Sequence, residues 1–166
     1  MHRLIFLLGL VAFAARADVK LPAIFSDHMV LQRGAVAPVW GWADAGENVT
    51  VQFAGQTKTA TADKNGKWMV RLDAINDAIV KGALTVKGNN TLTIKDVLVG
   101  EVWLASGQSN MQWKLSNRLV NQEQEIANAN YNQIRMFTVP LDLTGEKIKN
   151  SKWQISNSEN VKSFSA

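Results

Sequence analysis

The sequence predicts a small β-sandwich followed by the opening of an α/β domain, and three observations carry that reading. Apolar and polar residues alternate at period two from about Asp18 to Val99, with turn residues roughly every ten positions. From Val97 to Ala105 the chain is nearly continuously apolar, as in a strand covered on both faces of a parallel sheet. Small polar residues and then helical spacing follow.

Composition limits what the chain can be. At 166 residues, with 46% hydrophobic and 19% charged, it has too much apolar content for disorder. No apolar run reaches the roughly 18 residues of a spanning helix. With no cysteine, disulfides, zinc ribbons and a thiol nucleophile are excluded. His2 and His28 are the only histidines, so chemistry needing two of them within the chain is not expected.

Residues 1–17 read as a signal peptide. His2 and Arg3 precede the apolar run Leu4–Ala14, and Ala15-Arg16-Ala17 has the small-x-small pattern of a cleavage site. Cleavage after Ala17 removes two of the 18 basic residues set against 14 acidic ones. No basic stripe is left to suggest nucleic acid. The expectation is a secreted or periplasmic protein, the lack of cysteine leaning towards a bacterial setting.

The strands follow in order. Ala37–Trp42 is the first clear candidate, and Val49–Phe53 alternates before Ala54-Gly55-Gln56 turns the chain into Thr57–Thr61. Asp63-Lys64-Asn65-Gly66 is a turn tetrad in which Asn and Gly tolerate positive φ. Lys67–Leu72 resumes the alternation, and Ala83–Lys87 and Asn90–Lys95 complete the set. Beyond Asp96, Val97–Ala105 reads as a buried strand, and Ser106–Asn110 as a turn. Leu115, Leu119 and Ile126 fall on one helical face, Asn128–Asn132 stops that helix, and Ile134–Val139 reads as the next strand. The boundary falls near residues 96–100, giving a β domain over 18–98 and an α/β start over 99–166.

Chemistry is expected at Ser109. A serine in the turn between a buried strand and a helix holds its hydroxyl at the sheet edge, where backbone N–H groups can face an oxyanion. Gly107 permits a sharp turn and close approach of a substrate carbonyl. Gly-Gln-Ser-Asn-Met is not Gly-x-Ser-x-Gly, however, and Ser109 as a simple helix N-cap is the competing reading.

The block Trp103-Leu104-Ala105-Ser106-Gly107-Gln108-Ser109-Asn110-Met111 resembles the nucleophile block of the sialate O-acetylesterase family, within the SGNH/GDSL hydrolase superfamily. Leu21–Arg33 resembles the start of the β domain that precedes the hydrolase in that family, and Val39–Ala43 and Asp63–Leu72 fit its pattern. The resemblance implies hydrolysis of O-acetyl esters on sugars, with sialic acid the named substrate and no cofactor. It carries over Ser109 as nucleophile and one oxyanion donor through its own N–H, and Gln108 and Asn110 as parts of the same block. It also implies an Asp-x-x-His pair and further glycine and asparagine donors, none of which can be placed in this sequence. The expectation is therefore a fragment of a longer enzyme, inactive alone. An acetylxylan esterase, or another carbohydrate acetylesterase, is the alternative within the class. A non-catalytic carbohydrate-binding β module is the alternative outside it.

Other candidates are weaker. His28 lies in the upstream motif and reads as a structural or interdomain hydrogen-bonding residue, with Asp27 as partner, rather than as the base. One histidine and scattered carboxylates offer no metal-ligand spacing. Glu101 is close to Ser109 in sequence but lies in the buried-looking strand. Trp40 and Trp42, two apart, face one side of a strand, for core packing or for stacking on sugar. Trp113, one helical turn beyond Ser109, could wall a pocket. Asn48-Val49-Thr50 and Asn89-Asn90-Thr91 are glycosylation sequons.

Overall fold

The computed structural model describes residues 18–77, 80–117, 120–140 and 150–165; the signal-peptide reading of residues 1–17 lies outside them. Among the described residues nine strands form: β1 (Val30–Gln32), β2 (Ala37–Trp42), β3 (Asn48–Phe53), β4 (Gln56–Thr61), β5 (Lys67–Leu72), β6 (Val80–Lys87), β7 (Thr91–Gly100), β8 (Arg135–Met136) and β9 (Gln154–Ile155). The same residues contain one α-helix, α1, spanning Gln122–Asn128. The described part of the molecule is thus mostly sheet.

A five-stranded mixed sheet runs in the order β1-β7-β6-β3-β4, and β2 pairs with β5 in a second sheet. Their alternating patterns explain the division. Val49, Val51 and Phe53 of β3 point inward, as do Trp68, Val70 and Leu72 of β5. Both sets join Leu84, Val86, Ile94, Val97 and Val99 in one apolar core. Strand β4 forms the edge and buries no residue of its own, offering Thr57, Thr59 and Thr61 to solvent. The link from β3 to β4 is a two-residue turn with Ala54 at φ 48° and Gly55 at φ 76°, the positive pair that a type I′ hairpin demands. Asp63-Lys64-Asn65-Gly66 does turn. Asp63 Oδ1 accepts from the N–H groups of Asn65 and Lys67 at 2.8 and 2.9 Å, and the turn passes the chain from one sheet to the other.

Strand β7 departs from the expectation. It runs unbroken from Thr91 to Gly100, across the position where the sequence changes texture. Its pairing with β6 slips by one residue between Gly82 and Leu84, opposite Lys95 and Asp96. Asp96 takes φ 55° there. The extra residue is a β-bulge, and it shifts the inward-facing positions from Ile94 to Val97 and Val99. The final residues of β7 do gain a parallel neighbour, but it is β1 of the same sheet.

From Glu101 to Asn110 no strand forms and every residue is exposed, which corrects the reading of Val97–Ala105 as one buried strand. Trp103 and Leu104 are 88% and 91% exposed. The long helix expected over 115–126 is replaced by a 3-10 turn, Ser109–Gln112, and by the short α1, which buries no residue. A seven-residue helix with little to pack against gains too little to lengthen. Leu119, expected on its face, lies outside the described residues. The strand expected over Ile134–Val139 shrinks to β8, which pairs antiparallel with β9.

Candidate active site

Ser109 opens the 3-10 turn, and Gln108 is the residue capping it, without a side-chain bond. The reading of Ser109 as N-cap therefore fails. The turn is closed by Met111 N–H donating to Gln108 O at 2.9 Å and Trp113 N–H donating to Asn110 O at 3.2 Å. Gly107 is not at positive φ. Its lack of a side chain matters for another reason: a Cβ there would stand 2.6 Å from Met111 Cγ, so the methionine would have to move. Ser165 Oγ donates to Met111 O at 2.5 Å, and Leu115 and Ser116 N–H donate to Phe164 and Lys162 carbonyls at 3.3 Å. Segment 160–165 thus anchors the turn from behind, leaving Gln108, Ser109 and Asn110 open to solvent.

Trp113 is 55% exposed and does not line the apolar cavity beside the sheet edge. That cavity, about 530 Å³, lies between the sheet edge and the later segments, lined by Val30, Leu98, Trp103, Met136, Phe137 and Trp153 among others. It is mainly apolar and does not include Ser109. Among the described residues, no hydrogen bond reaches the Ser109 side chain, and no three His, Cys, Asp or Glu groups gather as metal ligands would.

His28 has a partner, but it is Asp96 and not Asp27. Nδ1 of His28 lies 2.6 Å from Asp96 Oδ2, while Asp27 Oδ1 accepts from Lys95 N–H at 2.7 Å. Asp96 is a hub that the sequence reading missed. Lys81 Nζ reaches Oδ1 at 2.7 Å and Arg135 Nη2 reaches Oδ2 at 3.1 Å. Arg135 is 2% exposed at its side chain and also donates to the carbonyls of Asn132 and Ile134. The hydrogen bond from Lys81, outweighing the cost of burial, the hydrogen bond with His28 and the nearby charge of Arg135 hold the Asp96 carboxyl down to about 2. The available signal was the switch in apolar parity from 94 to 97 and 99 with Lys95-Asp96 between, the mark of a bulge.

Glu101 sits outside the sheet, not within a strand. Its carboxylate accepts from Gln32 Nε2 at 3.0 Å and from Arg33 Nη2 at 2.8 Å, and these bonds, Gln32's first, lower its pKa. Trp40 packs edge-on to Phe25 with ring centres 4.7 Å apart, whereas Trp42 is exposed. Core packing holds for the first tryptophan only. Of the sequon residues, Asn48 accepts from Thr61 Oγ1 at 2.7 Å, and Asn90 holds Val19 N–H at 2.7 Å.

In fold and sequence this segment is similar to part of a carbohydrate acetylesterase. A solved carbohydrate acetylesterase from Xanthomonas citri superposes with a TM-score of 0.80 at 36% identity, over 90% of this chain and 35% of that one. The chain is moreover homologous to the sialate O-acetylesterase family. It is 33% identical to the sialate O-acetylesterase of Rattus norvegicus over 87% of its length, and 35% identical to that of Homo sapiens over 80%. It spans 29% and 28% of those two relatives' own lengths. No family model matches the chain.

Proposed function

We propose that this chain belongs to a secreted or periplasmic carbohydrate esterase that removes O-acetyl groups from sialic acids, with Ser109 as nucleophile. The observation that carries the reading is the Ser109 turn itself. An open hydroxyl is held on a short, anchored turn between two exposed amide side chains, in a segment homologous to sialate O-acetylesterases. A seryl hydroxyl attacks an acetyl carbonyl once a base takes its proton, and backbone N–H groups stabilise the oxyanion that forms. The Ser109 N–H supplies one such donor, with Gln108, Asn110 and Gly107 framing the acetyl group and Trp113 beside the sugar.

Residues 18–98 form the β domain of this enzyme and 99–166 the first part of its SGNH-type hydrolase domain. The base and remaining donors belong to the stretches of the relatives that this chain does not span. The chain by itself is then without turnover, because triad members act as a unit and losing the base costs on the order of 10⁴ to 10⁶ in rate.

The test is Ser109→Ala in the longest native form of the protein. Deacetylation of O-acetylsialic acid should disappear while the circular dichroism spectrum is unchanged. A fluorophosphonate should label wild type at Ser109 and leave the variant unlabelled. Labelling at Ser106 or Ser116 would move the nucleophile, and glycan binding without any ester turnover would favour a binding module.

A further inference from the structure

Of the two sequence blocks that carry the family resemblance, the first, Leu21–Arg33, is joined by a continuous register to the strand that leads into the second, Trp103–Met111. Val30, Leu31 and Gln32 of β1 lie opposite Leu98, Val99 and Gly100 of β7. The same offset of 68 persists beyond the strand at both ends, in His28 with Asp96 and in Arg33 with Glu101. His28 and Asp96, facing one another, both adopt left-handed backbone, with φ of 70° and 55°. A strained conformation of this kind persists where surrounding bonds over-determine it. Here those bonds are the His28–Asp96 contact and His28 N–H donating to Lys95 O at 3.0 Å.

At the other end the strand stops but the side-by-side path does not. Arg33 N–H donates to Gly100 O at 2.8 Å. Gln32 then uses both ends of its amide: Oε1 accepts from Val102 N–H at 2.8 Å, and Nε2 donates to Glu101 at 3.0 Å. Arg33 pairs with the other oxygen of the same carboxylate at 2.8 Å. These contacts fix the first two residues after β7, at the root of the exposed segment leading to Ser109.

We infer that residues 27–33 act as a splint that aims the nucleophile-bearing segment, with Gln32 and Arg33 as positioning residues for Ser109. The inference rests on the reading of Ser109 as nucleophile. Gln32 supplies a hydrogen-bonded continuation of the sheet where the backbone pairing of β1 has ended. Arg33 and Gln32 together hold Glu101 against the β1 side, so the chain leaves the sheet in one direction. Neither residue touches the hydroxyl; each acts through the path of residues 101–108. Loosening that root lengthens the free path between the sheet and the turn, and the serine is then held less well in line with a bound ester.

The experiment uses Gln32→Ala, Arg33→Glu and the charge swap Arg33→Glu with Glu101→Arg. Amide exchange is read at Val102 and across β3 and β4 in this chain. Fluorophosphonate labelling of Ser109, with kcat and KM, is read in the longest native form. Exchange at Val102 should rise about tenfold in Gln32→Ala with β3 and β4 unchanged, as for a local opening. Labelling and kcat should fall in both single variants with KM little altered, and the swap should recover much of the loss. Unaltered exchange at Val102, or faster exchange with undiminished labelling of Ser109, would overturn the inference. A swap no better than Arg33→Glu alone would remove Arg33 from it. If wild-type Ser109 fails to label at all, the nucleophile reading falls and the positioning role falls with it. The exchange data would still show, separately, whether Gln32 holds the segment.

Discussion

Residues 18–100 and the described residues after them differ sharply in how they use similar side chains. In the first region Val, Leu, Phe and Trp from two sheets converge in a single core, with Val39, Val49, Val51, Leu72, Leu84 and Val86 wholly buried. In the second, the described buried residues are Ala129, Met136 and Ser156, while Trp103, Leu104, Val120 and Val139 face solvent. Beyond the bonds of Gln32 and Arg33 to Glu101 and Val102 at its root, the second region is tied to the first by the Arg135–Asp96 ion pair and by Trp153 Nε1 donating to Ile24 O at 2.8 Å. The difference teaches that apolar sequence alone does not make a core. Burial needs a partner face, and the sheet supplies one where the later segments do not.

Breaking the Asp96 hub should have the largest effect on that contrast. Asp96→Ala leaves the buried Arg135 guanidinium without its carboxylate and should cost about 3 kcal/mol in chemical denaturation, the scale for breaking a buried pair. Asp96→Asn keeps the tolerance for left-handed backbone and should cost less. The same hub gives an acid limit. Its carboxyl is lowered from 3.8 to about 2, so its contribution is fully present above pH 4 and is lost as pH falls towards 2. Wild type should lose about 2 kcal/mol across that window, and Asp96→Asn should show little of this slope. An equal slope in both proteins would place the acid sensitivity elsewhere.

A smaller effect sharpens the β region alone. Ala54 sits at φ 48° in the β3–β4 turn, a conformation that glycine adopts without a Cβ penalty. Ala54→Gly should raise stability by up to about 1 kcal/mol. A loss on this substitution would mean that the turn relaxes away from type I′ geometry in solution.

Much of the first region was legible because its signals are local. Ala37–Trp42 and Lys67–Leu72 match the observed strands end to end, since alternation and flanking turn residues both point to the same limits. Asp63–Gly66 turns as its residues require. What could not be read was pairing at long range. The bulge at Asp96 breaks the alternation, and a break in period looks the same in sequence as the end of a domain. Val97–Ala105 is nearly continuously apolar, yet its first four residues are sheet and the rest are exposed. Which half finds a partner depends on β1, far away in the chain. At the site, the turn at Ser109 was legible from its small polar residues. The Gln32 and Arg33 contacts at the root of that segment, and the His28–Asp96 contact at the opposite end of β1, were not, because each joins residues about 70 positions apart.

The contrast between the two regions is tested most directly by limited digestion of this chain with subtilisin, which accepts many side chains, followed by mass measurement of the resistant core. Cleavage should come first within the exposed segment 101–108, and the surviving core should begin near Val19 and end just after Gly100, with β7 entire. A core ending at Asp96 would show that the bulge, and not the end of β7, is where order stops. Protection that runs intact through Ser109 to Phe137 would contradict the central claim, because the serine-bearing segment would then be packed in solution as firmly as the sheet that holds it.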